Sequence, residues 1–205
     1  LLAKMKAEIS GLVQSFSVGN VLKSGIPVAI IGKPNVGKST LLNTILQEEK
    51  AIVSEIPGTT RDAIEDTIII DGIAFRFIDT AGLRNTDDRV ESMGVERTHE
   101  KIRKARIVLF VFDVSTTTID QIREVIDEHR HLIDDPAKQV ILVGNKIDQL
   151  VEIPKGFKDL VEMETVFVSA KRKENINLIS DSLLKSVNRD LITDNTIVSN
   201  ARHYE

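Results

Sequence analysis

Val28-Ala29-Ile30-Ile31-Gly32-Lys33-Pro34-Asn35-Val36-Gly37-Lys38-Ser39-Thr40 is the stretch that decides the fold. Val28–Ile31 is a short apolar run that reads as a buried strand, and Lys38–Gln47 reads as a helix. Between them, Gly32–Ser39 fits the pattern G-x-x-x-x-G-K-[ST] in the setting that gives it meaning, directly after a strand and opening a helix. Gly32 and Gly37 let the backbone wrap tightly enough for its N–H groups to face phosphate oxygens. A helix opening near Lys38 adds its positive end. The Lys38 ammonium can then reach the β and γ phosphates, and the Ser39 hydroxyl can ligate Mg2+. The loop implies a nucleoside triphosphate without saying which base it carries.

Outward from this loop, short apolar runs alternate with helical stretches. Asp66–Ile70 and Ile73–Ile78 flank Asp71–Gly72, a dipeptide suited to a tight hairpin. Residues near 91–104 read as a helix, Ile107–Asp113 as a central strand and Ile119–Leu132 as a second helix. Val140–Gly144 and Val166–Val168 read as strands, and a last helix is expected from about Asn175 to Asn188. Alternation of this kind predicts an α/β fold: a six-stranded, mostly parallel sheet with one antiparallel strand, covered on both faces. Upstream, Leu2, Met5, Ile9, Leu12, Val13 and Phe16 recur at helical spacing, so residues 1–18 read as an amphipathic helix packed against another helix. Gly19, Gly25 and Pro27 punctuate its end. Asn195 is a candidate cap for a helix beginning in the polar stretch 191–205.

Composition narrows the function. The chain has 205 residues, 41% of them hydrophobic, enough for a sizeable core. It holds no cysteine, which excludes a disulfide scaffold, a Cys-ligated zinc site and a thiol nucleophile within these residues. A formal net charge of −4 argues against a generally basic, nucleic-acid-coating surface. Ile107–Phe112 is the longest purely apolar run, far too short to span a bilayer. Lys4, Lys6 and Glu8 interrupt the first residues, so no signal peptide is expected. The first residue is Leu1 rather than Met, which fits a piece of a longer protein.

Two further motifs speak to the base. Asn145-Lys146-Ile147-Asp148 follows the strand Val140–Gly144. The Asp148 carboxylate can accept two parallel hydrogen bonds from guanine N1–H and its exocyclic amine. Adenine offers no such donors, and an unpaired buried carboxylate makes rejection strong. Asn145 can brace the loops and touch the other edge of the purine, and the Lys146 stem can lie across the ring face. Ser169-Ala170-Lys171 follows the last strand and offers backbone N–H groups to guanine O6. Each motif is common by accident and reads equally as a solvated turn. Their order, and their places at the C-terminal ends of strands, give them weight. Asp79-Thr80-Ala81-Gly82 closes the hairpin strand: Asp79 can hold Mg2+ through water, and the Gly82 N–H can bond the γ-phosphate. Loss of that phosphate would release the loop, which makes a switch. Gly58-Thr59-Thr60-Arg61-Asp62 offers Thr60 as a second Mg2+ ligand, or is simply a polar loop.

With these motifs in place the chain resembles the translation-factor-related GTPases, which are P-loop NTPases with a Ras-like G domain. Within them it most closely resembles the G domain of the family of tRNA-modification GTPases known as MnmE or TrmE. The carrying residues are Gly32–Thr40 (GKPNVGKST), Gly58–Asp62 (GTTRD), Asp79–Arg84 (DTAGLR), and Asp88-Arg89-Val90-Glu91 leading to Gly94-Val95-Glu96-Arg97. Gly19, Leu22 and Gly25 also fit the pattern, and the run from Gly82 to Arg97 is what singles out this family. The resemblance implies a G domain over 25–190 inserted into a helical domain, with residues 1–24 and 191–205 as the leaving and returning helical segments. It implies nucleotide contacts from Asn35, Val36, Gly37, Lys38, Ser39, Thr40, Gly58, Thr59, Thr60, Asp79, Gly82, Asn145, Lys146, Asp148, Ser169, Ala170 and Lys171.

The resemblance also implies K+-stimulated, Mg2+-dependent hydrolysis of GTP to GDP by a G-domain homodimer. Asn35 matches the K+-coordinating residue of the family, and Ser54 and Ile56 match positions whose backbone carbonyls complete that site. A monovalent cation beside the phosphates offsets developing charge as an arginine finger does elsewhere. Glu91 matches the catalytic carboxylate that orients the attacking water. On its residues alone Glu91 reads as a solvated acid in the first turn of a helix. Leu83, at the place where Ras-like proteins carry glutamine, cannot orient water. The whole-protein role implied is modification of the wobble uridine of tRNA, of the carboxymethylaminomethyl or aminomethyl type, in the cytoplasm. Its partners are tRNA and the flavoprotein MnmG (GidA). The folate-binding domain and cysteine motif of the full-length family are not among these residues, so this chain is expected to hydrolyse GTP without modifying tRNA unaided. Two other readings share the phosphate loop: a ribosome-assembly GTPase of the Era or tandem-G-domain type, and a nucleotide-gated assembly module with little turnover.

His129 and His131 lie two apart on a helix, on different sides and with no third ligand evident, so no metal site is expected there. Arg61, Arg84 and Arg89 are read as partners of nearby acids such as Asp62, Asp87 and Asp88 rather than as fingers.

Overall fold

The computed structural model describes residues 25–50, 66–80, 83, 95–152, 156–157 and 163–193. In chain order these form β1 (Ile26–Ile31), α1 (Lys38–Lys50), β2 (Asp66–Ile70), β3 (Ile73–Phe77), α2 (Val95–Lys104), β4 (Ile107–Asp113), α3 (Ile119–Ile133), β5 (Gln139–Asn145), β6 (Glu164–Phe167) and α4 (Asn177–Thr193). A single turn of 3-10 helix, Ile147–Gln149, follows β5. The strands form one six-stranded sheet in the order β2-β3-β1-β4-β5-β6. All neighbours are parallel except β2 against β3. This is the architecture expected from the alternation. The amphipathic helix expected over 1–18 and the segments 1–24 and 194–205 lie outside the described residues.

Several boundaries move. β6 begins two residues earlier than the apolar run Val166–Val168 suggests and ends at Phe167. The last helix reaches Thr193 rather than Asn188. α2 begins at Val95, and residues 91–94 lie outside the described residues. Polar residues at strand starts, such as Gln139 and Glu164, hide those starts from a reading that looks for apolar runs.

Period-two alternation divides the core into two layers. Val28 and Ile30 of β1, Leu109 and Val111 of β4, and Ile141 and Val143 of β5 face one side, with Leu41, Leu42 and Ile45 of α1 and Ile179 and Leu183 of α4. Ala29 and Ile31, Val108, Phe110 and Phe112, and Leu142 face the other, with Ile102 of α2 and Ile122 of α3. Because both faces are covered, β4 is buried at every residue. That explains why its sequence is a continuous apolar run rather than an alternating one.

The local signals agree with this packing. Asp71 and Gly72 take φ of 48° and 78°, as a two-residue type I′ hairpin turn requires, and Ile70 pairs directly with Ile73 across it. Thr118 caps α3: the Gln121 N–H donates to its hydroxyl at 3.3 Å, and the Thr118 N–H donates to the Gln121 side chain at 3.0 Å. Lys138, from the α3–β5 connection, donates to the carbonyls of Ile102, Arg103 and Ala105 at 2.8, 3.0 and 2.7 Å and closes the C-terminal end of α2. Burial holds the pKa of that ammonium below its ordinary value, with Asp135 opposing the shift and Arg106 adding to it. Among the described residues no helix is long and apolar enough to cross a membrane.

Leu109 sits at the centre of the sheet with no exposed surface. Leu109→Ala should cost about 2–5 kcal/mol of unfolding free energy through the lost transfer energy and the cavity left behind. Urea denaturation checks it, with the midpoint falling and the slope unchanged.

Candidate functional site

Register places the polar ends of the central strands side by side. Ile31 pairs with Phe110 and Asp113 pairs with Asn145, so the loops leaving β1, β4 and β5 emerge along one edge. This is the carboxyl edge of a parallel sheet, where the crevice between loops receives ligands.

The first loop fits closely against its neighbours. Gly32 has φ of 146°, and a Cβ there would lie 2.1 Å from the Val111 carbonyl oxygen. Gly37 has φ of 95°, and a Cβ there would lie 2.4 Å from Asn145 Nδ2. Both positions therefore demand glycine for space as well as for backbone conformation. Asn35 also adopts positive φ, 62°. Lys38 is only 5% exposed. Its Nζ donates to the Gly32 and Lys33 carbonyls at 2.9 and 2.6 Å, so the ammonium lies inside the curl of the loop. Helix α1 starts at Lys38 and places Ser39 and Thr40 in its first turn.

Asn145 is the cross-link. It is 2% exposed. Its Nδ2 donates to the Val36 carbonyl at 2.8 Å, and its Oδ1 accepts from the Ala170 N–H at 3.0 Å. One amide thus joins the loop after β1 to the turn after β6. The Ser169 hydroxyl donates to Asp148 Oδ1 at 2.6 Å and accepts from the Arg172 N–H at 3.1 Å. From α1, Thr44 donates to the Ala170 carbonyl at 3.1 Å. The bracing role expected of Asn145 is present. In the turn Ser169–Lys171, whose backbone N–H groups are expected to reach guanine O6, the Ser169 N–H bonds the Glu174 carbonyl and the Ala170 N–H bonds Asn145.

Lys146 takes a left-handed conformation, φ 69°, and opens the 3-10 turn that carries Asp148. Its Nζ donates to the Asn35 carbonyl at 2.7 Å and pairs with Asp113 Oδ2 at 2.7 Å. Asp113 Oδ1 accepts from the Ser115 N–H and hydroxyl at 2.9 and 2.6 Å. Burial works to raise the Asp113 pKa. The hydrogen bonds from Lys146 and Ser115 and the charge of Lys146 outweigh it and hold the carboxyl below its ordinary value.

After β3, Asp79 is exposed with φ of 54°, while Thr80 is buried at 1%. The Leu83 N–H bonds the Thr80 carbonyl at 2.8 Å, and the Leu83 side chain is 3% exposed within the main core cluster. Leu83 thus anchors its loop to the core. Ser39 and Asp79 supply a hydroxyl and a carboxylate, hard oxygen donors of the kind Mg2+ prefers. Ser54, Ile56, Gly58, Thr59, Thr60, Gly82 and Glu91 lie outside the described residues, as do Arg61, Arg84 and Arg89.

Sequence reasoning missed Asp113, Ser115 and Thr44. The available signal was a carboxylate ending an otherwise apolar strand. It also overlooked His99, whose ring centroid lies 5.4 Å from those of both His129 and His131, edge-on to each. The two imidazoles expected on different sides of α3 both lean on this ring from α2. His129 Nδ1 bonds the Val125 carbonyl at 2.8 Å. Among the described residues no cluster suited to a metal ion forms.

Gly37→Ala forces its Cβ onto Asn145 and strains the backbone, so it should weaken guanine-nucleotide affinity by on the order of tenfold or more. Calorimetric titration of the variant against the native chain measures the loss.

Comparison with known proteins agrees with this geometry. The profile of a family described as 50S ribosome-binding GTPase matches residues 27–146. A protein of Flavobacterium psychrophilum named tRNA modification GTPase MnmE is 48% identical over the whole of this chain, which covers 45% of that protein. Proteins of the same name from Cytophaga hutchinsonii and Bacteroides fragilis are 46% and 48% identical over 100% and 96% of the chain, which covers 44% and 43% of them. The chain therefore spans somewhat under half the length of these curated relatives. A parallel sheet with one antiparallel strand, a buried phosphate-loop lysine and this match over more than half the chain make it a member of the 50S ribosome-binding GTPase family, a GTP-hydrolysing domain like the G domain of MnmE.

Proposed function

We propose that this chain is the K+-stimulated, Mg2+-dependent GTPase domain of a protein that modifies the wobble uridine of tRNA in the cytoplasm. The carrying observation is the Asn145 cross-link, which ties the phosphate loop to the base-side turn around a buried Lys38. In this reading the amides from Asn35 to Thr40 and the Lys38 ammonium hold the β and γ phosphates. Asp148 accepts from guanine N1–H and the exocyclic amine with its two oxygens, one of which, Oδ1, also accepts from the Ser169 hydroxyl and is held in place by it. The Lys171 N–H, following two amides bonded within the protein, reads O6. The stem of Lys146 covers the ring. Gly58, Thr59 and Gly82 close over the γ-phosphate.

Ser39, Thr60 and, through water, Asp79 are the residues that would hold Mg2+; Asn35 with the Ser54 and Ile56 carbonyls would hold K+. Both cations supply positive charge against the phosphate oxygens. Glu91 orients the attacking water. The water oxygen bonds to the γ phosphorus, the bond from that phosphorus to the bridging oxygen breaks so that GDP leaves, and the water's proton passes to the phosphate formed. Leu83, packed into the core, leaves that task to another residue. Two copies meet through their G domains in the hydrolysing state. In the full-length protein the partners are tRNA and the flavoprotein MnmG (GidA). The names of the relatives favour tRNA modification, whereas the description of the family profile favours a ribosome-assembly role. Finding a KH domain or a second G domain beside this one in the parent gene would select the latter.

Two measurements test the chemistry. Phosphate release should be at least about tenfold faster in KCl than in NaCl, the scale of one electrostatic contact to the transition state. Asn35→Ala should erase the difference, and equal native rates in both salts would remove K+ from the mechanism. Glu91→Ala should bind GTP with near-native affinity while hydrolysis falls by about 10²-fold or more; single-turnover kinetics with an equilibrium titration separates the two, and undiminished turnover would return Glu91 to a surface acid.

A further inference from the structure

We infer that Asp113 is a positioning residue for nucleotide binding, holding Lys146 against the phosphate loop and pinning the base-reading turn at both ends. The inference rests on the reading of Lys146 and Asp148 given above and concerns a residue which that reading does not use. Asp113 closes β4, whose other six residues are apolar and buried. Its side chain is 9% exposed, so the carboxylate is committed to protein partners rather than to water.

Those partners are Lys146, at the start of the base-reading turn, and Ser115, in the loop that follows β4. Oδ2 meets Lys146 Nζ at 2.7 Å, and the same Nζ reaches the Asn35 carbonyl at 2.7 Å. The ammonium is therefore clamped between the end of β4 and the phosphate loop. Lys146 itself holds φ of 69°, a conformation that lysine seldom adopts unless its surroundings impose it. At the far end of the turn, the Ser115 hydroxyl gives its one proton to Asp113 Oδ1 at 2.6 Å, and the Gln149 side-chain amide lies 3.1 Å from the same hydroxyl, to which its NH2 group can donate. Asp148 sits between these two fixed points. The carboxylate thereby fixes where Asp148 stands relative to Asn35, the separation a bound nucleotide must span from base to phosphate.

The consequence is kinetic. Without the Asp113 charge, Lys146 loses its charge-assisted anchor, the Asn35 carbonyl loses its donor, and a bound nucleotide leaves faster. Asp113→Asn preserves shape and an acceptor for Ser115 while removing the charge. Stopped-flow release of a fluorescent GDP analogue from the full 205-residue chain in Mg2+ is the measurement. Asp113→Asn should speed release by on the order of tenfold or more, as expected for a lost charge-assisted hydrogen bond. In a Lys146→Met background the same change should add nothing, because the residue acts through the lysine. An unchanged release rate, or the same factor in both backgrounds, overturns the proposal. If Asp113→Asn does not fold, Ser115→Ala, which removes a hydrogen bond that orients the Asp113 carboxylate, takes its place in the native background. Faster release then supports the proposal, and no change overturns it. Failure of the native chain to bind the analogue overturns the guanine-nucleotide reading instead.

Discussion

The Asn145 side chain is the contact on which the site depends. Two hydrogen bonds from a group 2% exposed join backbone atoms at Val36 and Ala170, residues distant in sequence. An amide buried so deeply costs free energy unless its polar atoms find partners. Here those partners are the two loops a nucleotide must bridge. The same side chain fills the space beside Gly37 where a Cβ would go. Glycine at 37 and asparagine at 145 are thus one requirement expressed at two positions: the loop can approach only because one residue has no side chain, and it stays because the other supplies a donor.

The sheet explains why such contacts collect at one edge. A parallel sheet covered on both faces buries its central strands completely, so their sequences become uniformly apolar and polar groups are pushed to the ends. Asp113 and Asn145 are those groups, paired across β4 and β5 in the last step of the ladder. Neither side chain can reach bulk water with most of its surface, so each must be satisfied by the loops that follow. Six apolar residues of β4 serve as a rigid platform, and the polar residue at its tip directs the loop.

This arrangement bears on what could be read from the amino-acid sequence. The fold was legible because each element carried its own signal: an apolar run for β4, Asp71–Gly72 for the hairpin, the spaced glycines of Gly32–Ser39 for the loop. Lys38, Asn145, Lys146, Asp148 and Ser169 were legible because short motifs set them at the ends of those elements. Asp113, Ser115 and Thr44 were not. Their roles depend on strand register and on contacts between elements far apart in the chain, such as Thr44 with Ala170. Spacing says nothing about which amide a turn spends internally, so the commitment of the Ser169 and Ala170 N–H groups to Glu174 and Asn145 appears only in three dimensions. The same holds for His99, brought onto His129 and His131 by the packing of α2 against α3.

Leu83 anchors the start of the loop that leaves β3. Its backbone N–H bonds the Thr80 carbonyl, and its side chain lies in the core cluster that also holds Leu41, Leu42 and Ile45 of α1. Because both ends of that short turn are buried, the loop leaving β3 has a fixed root. Asp79, immediately before it, is exposed and left-handed, so the chain changes direction where a metal-binding carboxylate is expected. Displacing the leucine would open a cavity costing roughly 2–5 kcal/mol, so Leu83 holds the end of this turn firmly against the core. An apolar residue at this position therefore gives up a water-orienting side chain for a firm anchor, and under the mechanism proposed above that task falls to Glu91.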